Sequence, residues 1–297
     1  MTNVQVGDRT LTISNPDKVL YVEAGFTKAE VIAYYVSISP FALPHYEGRA
    51  ITLKRFPDGS LTAGFFEKRC PGHRPAWLPT AVGPGDRNGV IHYCELDEPA
   101  ALVWTANMAA LELHAPMAKA VDLETPRAVV FDFDPGPGTA MRECAQAALD
   151  VGEVLDSVHL RGWCKTSGSK GLQMYLPVNG PCTHEQAGNF ALAVGQVLER
   201  RDPGRYVTNM SKSERPGRVF IDWSQNSRHK TTIAPYSLRA RARPTVSTPV
   251  SWDEIELAAS GETALVFEAD GVVERVREIG DLFEPVLSVV QEIPGTR

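Results

Sequence analysis

The run Ala128-Val-Val-Phe-Asp132-Phe-Asp134-Pro135-Gly136 constrains this chain more than any other segment. Its β-branched and aromatic residues suit a buried strand, and Pro135-Gly136 ends that strand in a turn. A strand places Asp132 and Asp134 at i and i+2, where side chains point to the same face. Two like charges side by side at the end of an apolar strand repel, and they are costly to hold ionised there. A divalent cation relieves that cost, and hard carboxylate oxygens suit Mg²⁺ or Mn²⁺. Such a pair is used to hold the ions of an in-line phosphoryl transfer. The plainer alternative is an Asp-rich strand end entering a turn.

Other segments supply candidates for the rest of such a site. Asp222 lies in the apolar run Val219-Phe-Ile-Asp222-Trp223. Two metal ions bridging a triphosphate and a 3′-hydroxyl need about three carboxylates; a lone Asp can equally pair with a nearby Arg. Lys165-Thr-Ser-Gly-Ser-Lys-Gly171 reads as a tight turn between strands. Gly168 and Gly171 permit close turns with exposed N–H groups, and Ser167, Ser169 and Lys170 add donors, so the loop can cradle a polyphosphate. Its spacing is not that of a Walker A loop, and an ordinary Ser/Gly hairpin is the alternative. His114 is expected to end an amphipathic helix over Ala100–His114, as a capped helix end or a phosphate or metal-supporting group. Phe65-Phe66, before Glu67-Lys68-Arg69, is either a stacking platform for a template base or part of the core.

The net charge of −6 argues against a nucleic-acid binder until its distribution is seen. Arg200–Arg243 carries 11 Lys/Arg against 3 Asp/Glu, and Asp253–Arg297 carries 3 against 11. The basic stretch is either a phosphate-contacting surface or a solvated face with its counter-charges folded nearby.

Five cysteines, an odd number without a CxxC pair, argue against a secreted disulfide framework. Cys70-Pro-Gly-His73 and His92-Tyr-Cys94 offer zinc donor types, but the second pair is spaced too tightly for a usual knuckle, so ordinary core or surface cysteines are expected. The polar start lacks the apolar core of a signal peptide, and no apolar run approaches a membrane span of about 18 residues. A soluble intracellular, cytoplasmic protein without membrane partners is expected.

Local signals give the element order. Thr10–Ile13 reads as a strand and Asn15-Pro16-Asp17 as a turn. Thr27-Lys-Ala-Glu30 is a capping box ahead of a helix. Strands are expected at Ala50–Phe56, Ala128–Asp134 and Val219–Trp223, with a strand-turn-strand unit over Gly162–Pro177. Helices are expected at Thr139–Val158 and His184–Arg201, a Pro/Gly-rich loop over Pro71–Asn88, and an acidic helical tail from Val250. Without regular βαβα alternation, the fold class is α+β (mixed α/β) rather than a doubly wound sheet.

In this order the segments resemble the polymerase domain of bacterial ATP-dependent DNA ligase D, in the archaeo-eukaryotic primase superfamily. The resemblance runs from Ser14-Asn-Pro-Asp-Lys18 to about Trp252. It passes through Thr27-Lys28, Lys54-Arg55, Phe65-Phe66-Glu67-Lys68, Leu111-Glu-Leu-His114 and Phe131-Asp-Phe-Asp-Pro-Gly136. It continues through Thr166-Ser-Gly-Ser-Lys-Gly-Leu172, Phe220-Ile-Asp-Trp-Ser-Gln-Asn226 and Thr231 to Arg239. It implies a primase-polymerase-like core of antiparallel and mixed sheets flanked by helices. This would be one domain over 1–297, with DNA-contacting residues in about 1–120 and the catalytic subdomain in about 121–297.

The resemblance also implies roles. Asp132, Asp134 and Asp222 match the carboxylates that hold two Mn²⁺ or Mg²⁺ ions. His114, Ser167, Lys170, Gly171, Arg215 and Arg239 match positions around the incoming NTP or dNTP and the metal site. Lys18 and Lys28 match lysines on a 5′-phosphate across a gap. Lys54, Arg55, Phe65 and Phe66 match template and primer contacts. The implied activity is template-directed nucleotidyl transfer to 3′ ends at gaps or breaks, with ribonucleotides and Mn²⁺ preferred. The implied partners are gapped or broken DNA, Ku and a separate ATP-dependent ligase, since a stand-alone polymerase domain without a ligase segment needs one in trans. One departure stands out: the family reads Gly-Leu-His where this chain has Gly171-Leu172-Gln173. Gln donates a hydrogen bond but carries no charge, so weakened triphosphate contact at Gln173 is expected. Two rivals follow, a catalytically weakened DNA-end-binding module and a metal-dependent phosphodiesterase.

Overall fold

Ala128–Pro135 is an inner strand of a six-stranded sheet. The strand order is Tyr206–Val207, Val219–Asp222, Ala128–Pro135, Leu172–Pro177, Trp163–Thr166, Pro249–Val250. All neighbours are antiparallel except Tyr206–Val207, which runs parallel to Val219–Asp222. Helices Met141–Asp156 and His184–Arg201 pack on the Ala128–Pro135 strand. Strand alternation explains how: Val129, Phe131 and Phe133 share one face, and the Phe131 ring meets Phe190 of the second helix edge-on at 6.5 Å. Asp132 and Asp134 therefore point to the opposite face.

This computed structural model describes residues 1–86 and 89–295. The chain divides into two units. Unit 1 comprises Met1–Leu123, Thr231–Ser247 and Phe267–Gly280; unit 2 comprises Glu124–Lys230, Thr248–Val266 and Asp281–Arg297. Asn88 and Arg297, the ends of the expected loop and acidic tail, lie outside the described residues.

Unit 1 is built around helix Lys28–Tyr46, which packs on helices Pro99–Asn107 and Ala269–Ile279. The capping box forms as expected: Thr27 Oγ1 accepts from Glu30 N, and Thr27 N donates to Glu30 Oε2. Pro40 lies inside this helix and has no N–H for the carbonyl of Val36; Ser39 Oγ donates to that carbonyl instead, at 2.8 Å. Tyrosine hydroxyls tie the helix to the rest of the unit. Tyr34 donates to Tyr236 O, Tyr35 to Leu111 O and Tyr46 to Pro235 O, so these buried phenols are satisfied. A four-stranded sheet runs Thr231–Ile233, Ala110–Pro116, Thr52–Arg55, Phe65–Glu67.

The mixed α+β class is as expected, and most elements fall within two or three residues of their expected bounds. Three expectations fail. The helix expected over Ala100–His114 stops at Asn107; Ala109 takes a left-handed φ of 56°, and Ala110–Pro116 is a strand. Leu111 and Leu113 fit a period of two as well as a helix face, and burial on both faces hides the difference. The loop expected over Pro71–Asn88 contains strand Thr80–Asp86, paired with Gly89–Cys94. Its Gly83 lies flush on the Tyr93 ring, where a Cβ would be 2.4 Å from Tyr93 Cε2, closer than real Cβ contacts come, so the glycine marks close packing and not a turn. Finally, Cys70 and Cys94 are joined by a disulfide with Cα atoms 4.7 Å apart, so the expectation of ordinary unpaired cysteines holds only for Cys144, Cys164 and Cys182.

The basic stretch is divided between the two units. Arg200–Lys230 belongs to unit 2, and Arg239, Arg241 and Arg243 to unit 1. Arg205, Arg218, Arg228 and Arg243 pair with Asp202, Glu214, Glu124 and Glu268.

Candidate active site

Antiparallel register brings the unit 2 candidates together. Asp132 lies opposite Asp222 on one side and opposite Gln173 on the other. Directly opposed residues share a face of the sheet. Asp132, Gln173 and Asp222 are all buried, while Asp134 is half-buried. Asp222 is oriented by Ser224 N at 2.9 Å and Ser224 Oγ at 2.6 Å on one oxygen, and by Gln225 Nε2 at 2.8 Å on the other. Among the described residues, these partners and not an arginine hold the Asp222 carboxylate.

The electrostatics carry the expected signature. Burial pushes the Asp132 carboxyl well up, and the charges of Asp134 and Asp222 push it further, against hydrogen bonding from Gln173 and the charge of Lys165. Asp134 is likewise raised by burial and by Asp222, against the charge of Arg215. Among the described residues, no three His, Cys, Asp or Glu side chains are drawn together tightly enough to grip an ion as they stand. The donor set nevertheless fits a hard divalent cation: oxygen-only ligands on one sheet face, whose mutual repulsion a cation would remove.

Close backbone approaches frame these carboxylates. At Gly171 a Cβ would lie 2.5 Å from the Phe133 carbonyl and 3.5 Å from Asp134 Oδ1, so only glycine fits. At Gly136 it would collide with the Arg215 carbonyl oxygen, and Gly136 N donates to Arg218 O at 3.0 Å. The segment carrying Arg215 is thereby held against the end of the Asp strand. The Arg215 guanidinium stacks on the Phe220 ring at 3.7 Å, and its buried Nε has no hydrogen-bond partner.

The Ser167–Gly171 turn differs in one respect from a cradle of exposed N–H groups. Ser169 N and Gly171 N donate to Ser167 Oγ, and Ser167 N donates to Gly171 O. The turn is closed on itself, with Lys170 exposed on it.

Unit 1 holds a second, cationic constellation. Register aligns Phe66, Lys54 and Glu112 across three strands. Glu112, with a side chain only 3% exposed, faces His114 Nε2 at 3.0 Å, Arg239 Nε at 3.4 Å and Lys54 Nζ at 3.7 Å. Burial raises the Glu112 carboxyl, but the His114 hydrogen bond and the charges of Arg239, His114 and Lys54 outweigh it and hold the group at about 2. Burial lowers His114, against the hydrogen bond and charge of Glu112. Phe65 and Phe66 are 46% and 58% exposed, which rules out a core role. Lys54 lies 5.2 Å from the Phe66 ring centre and Arg55 lies 5.3 Å from that of Phe65. Arg55 also binds Glu67 at 2.9 Å. His114, expected at a helix end, is mid-strand and meets Phe66 edge-on at 5.4 Å.

Lys18 and Lys28 meet at the start of helix Lys28–Tyr46, where Lys28 N donates to Lys18 O. Lys28 is buried, its ammonium donating to Ser14 O at 2.7 Å, and burial followed by the charge of Lys18 lowers it. Lys18 is more open and pairs loosely with Asp58 at 3.7 Å.

Sequence reasoning did not single out Glu112 or Lys165. Each is a charged residue inside an apolar strand, and that mismatch was the available signal.

Residues 27–283 match the family described as LigD, primase-polymerase domain. The chain is 41% identical over 276 residues to the multifunctional non-homologous end joining protein LigD of Mycolicibacterium smegmatis, covering 92% of this chain and 36% of that protein. It is 40% identical over 285 residues to the multifunctional non-homologous end joining DNA repair protein LigD of Mycobacterium tuberculosis strain H37Rv, covering 93% and 37%. It thus spans a little over a third of the length of these relatives. The solved polymerase domain of Mycobacterium tuberculosis ligase D, in complex with DNA, is similar at a TM-score of 0.87 and 38% identity, covering 95% of this chain and 99% of that one. The chain therefore belongs to the LigD primase-polymerase domain family and is a nucleotidyltransferase.

Proposed function

We propose that this chain adds nucleotides, under template direction and with ribonucleotides preferred, to 3′ ends at gaps or double-strand breaks in non-homologous end joining. The observation that carries this reading is the carboxylate row: Asp132 opposite Asp222, with Asp134 two residues on along the same face. In the reaction a primer 3′-hydroxyl attacks the α-phosphate of a nucleoside triphosphate and pyrophosphate leaves. Asp132, Asp134 and Asp222 would hold the metal ions, Mn²⁺ or Mg²⁺. When bound, these supply charge neutralisation at the attacking oxygen and the leaving phosphates.

The protein groups do the positioning. Arg215, stacked on Phe220 and lowering Asp134, offers a fixed cation beside the carboxylates. Lys170 and the Ser167–Gly171 turn, and in unit 1 His114 and Arg239, are proposed triphosphate contacts. Lys54, Arg55, Phe65 and Phe66 are proposed for template and primer, with exposed rings as stacking platforms beside cations. Gapped or broken DNA, a ligase and Ku are the proposed partners. Among the described residues, no helix is long and apolar enough to cross a membrane.

Two expectations arise here. Given gapped DNA, Mn²⁺ and either triphosphate, the chain should incorporate the ribonucleotide faster than the deoxyribonucleotide. Equal or reversed rates would remove the ribonucleotide preference, and incorporation of neither would remove the polymerase reading. Lys18→Ala with Lys28→Ala should erase the preference for a 5′-phosphorylated gap. The expected loss is about tenfold or more, because a hydrogen bond to a charged group is worth about 1.5–3 kcal/mol. A uniform loss on phosphorylated and unphosphorylated gaps would show that the lysines do not read the phosphate.

A further inference from the structure

Lys165 is a fully buried lysine for which the roles above have no use. It sits in strand Trp163–Thr166, and the register continues the carboxylate row through it. Lys165 is opposite Gln173, Gln173 opposite Asp132, and Asp132 opposite Asp222. The Lys165 ammonium donates to Gln173 Oε1 at 2.6 Å and lies 5.5 Å from the Tyr175 ring centre. Gln173 lies directly opposite Asp132 on the same sheet face, and hydrogen bonding from its side chain lowers the Asp132 carboxyl. With Oε1 taken by Lys165 and a carboxylate able only to accept, the donor to Asp132 is Gln173 Nε2.

We propose that Lys165 and Gln173 form a positioning relay that fixes the Asp132 carboxylate for metal binding, with Gln173 acting as the bridge between a buried cation and a metal ligand. The proposal rests on the reading that Asp132 holds a catalytic metal ion. An amide has one accepting and one donating end, and a flipped Gln173 would present oxygen to carboxylate and N–H to ammonium. Lysine, with donors only, forbids that flip. The bond from the ammonium polarises the amide and strengthens the donor at its far end. One Asp132 oxygen is thereby held, and the carboxylate is oriented, as groups behind a metal ligand commonly do. The departure from Gly-Leu-His acquires a physical sense. A neutral histidine also accepts at one ring nitrogen and donates at the other, so Gln173 preserves the donor-acceptor pattern while carrying no charge to a phosphate.

The test is Mn²⁺ binding to the purified full chain, without nucleotide or DNA, read by the electron paramagnetic resonance signal of free Mn²⁺. Gln173→Leu and Lys165→Met should each lose about 10- to 100-fold in Mn²⁺ affinity. The double variant should lose less than the two single losses combined, since part of the lysine's effect on Asp132 passes through the amide. Gln173→His should keep parental affinity. The double variant replaces both members of the Lys165–Gln173 pair by apolar groups, so neither an ammonium nor an amide is left facing an apolar partner. Parental affinity in the double variant, with binding lost in Asp132→Ala, would overturn the relay and leave the metal site standing. A double-variant loss equal to the two single losses combined would also overturn it, since the residues would then act independently. Failure of the parent to bind Mn²⁺ would overturn the metal reading and the relay together.

Discussion

Asp132→Asn is expected to stabilise the metal-free protein and to abolish nucleotide addition. The carboxyl is buried and pushed up by that burial, then by Asp134 and Asp222. A carboxyl raised in the folded state is stabilising only while protonated. Its contribution is present below the unfolded value of 3.8 and is lost as pH rises from there through the raised folded value. Asparagine keeps the shape, accepts from Gln173 Nε2 through its amide oxygen, and has no charge to desolvate. The expected gain at pH 8 is about 1–3 kcal/mol, the scale of burying an uncompensated polar or charged group in folded proteins. Urea unfolding across pH 5–8 would show the variant's advantage growing with pH. Mn²⁺ should stabilise the parent and not the variant, because a ligand stabilises only the form that binds it. A variant less stable than the parent at pH 8, or one that still extends a primer, would contradict this account of Asp132.

Glu112→Gln should do the reverse and destabilise unit 1. The parent carboxylate, held at about 2 against an ordinary 4.5, faces His114, Lys54 and Arg239. The difference is worth on the order of 3 kcal/mol, and the side chain is too buried for solvent to discount it much. A lowered carboxyl contributes stability that is present above about 4.5 and lost as pH falls through about 2. The parent should therefore be the more stable form at pH 7, and the gap should close as pH falls from 4.5 toward 2. A gap that does not change with pH would mean that the loss comes from packing and not from charge. Extension should weaken as well, because the carboxylate that fixes Lys54, His114 and Arg239 is gone.

The legible parts of this molecule were those written in local signals. Ala128–Pro135 could only be a buried strand, and its two aspartates had to share a face. Thr27 and Glu30 announced a helix start through a capping box that the structure contains. Gly162–Pro177 was readable as strand, turn, strand because Gly168 and Gly171 sit between two apolar runs. What stayed hidden depended on register. Nothing local says that Lys165, Gln173, Asp132 and Asp222 form one row; three independent strand pairings decide it. Gln173, read in sequence as a weakened phosphate contact, accepts a hydrogen bond from the buried Lys165, a partner no local signal announces. The strand at Ala110–Pro116 was masked because a fully buried apolar run fits both periodicities, so His114 was assigned to the wrong kind of element. Cys70 and Cys94 are 24 residues apart, and only the pairing of Thr80–Asp86 with Gly89–Cys94 and the fold around it bring them together.

The central claim is that Asp132, Asp134 and Asp222 carry metal-dependent nucleotide addition. Its most direct test is extension of a labelled primer across a one-nucleotide, 5′-phosphorylated gap in Mn²⁺, with parent and Asp132→Ala side by side and DNA binding measured for both. The expected result is extension by the parent alone, with both proteins binding the gapped DNA. Extension by Asp132→Ala would show that the carboxylate row is not the catalytic centre, and bound DNA without extension by the parent would reduce this chain to an end-binding module.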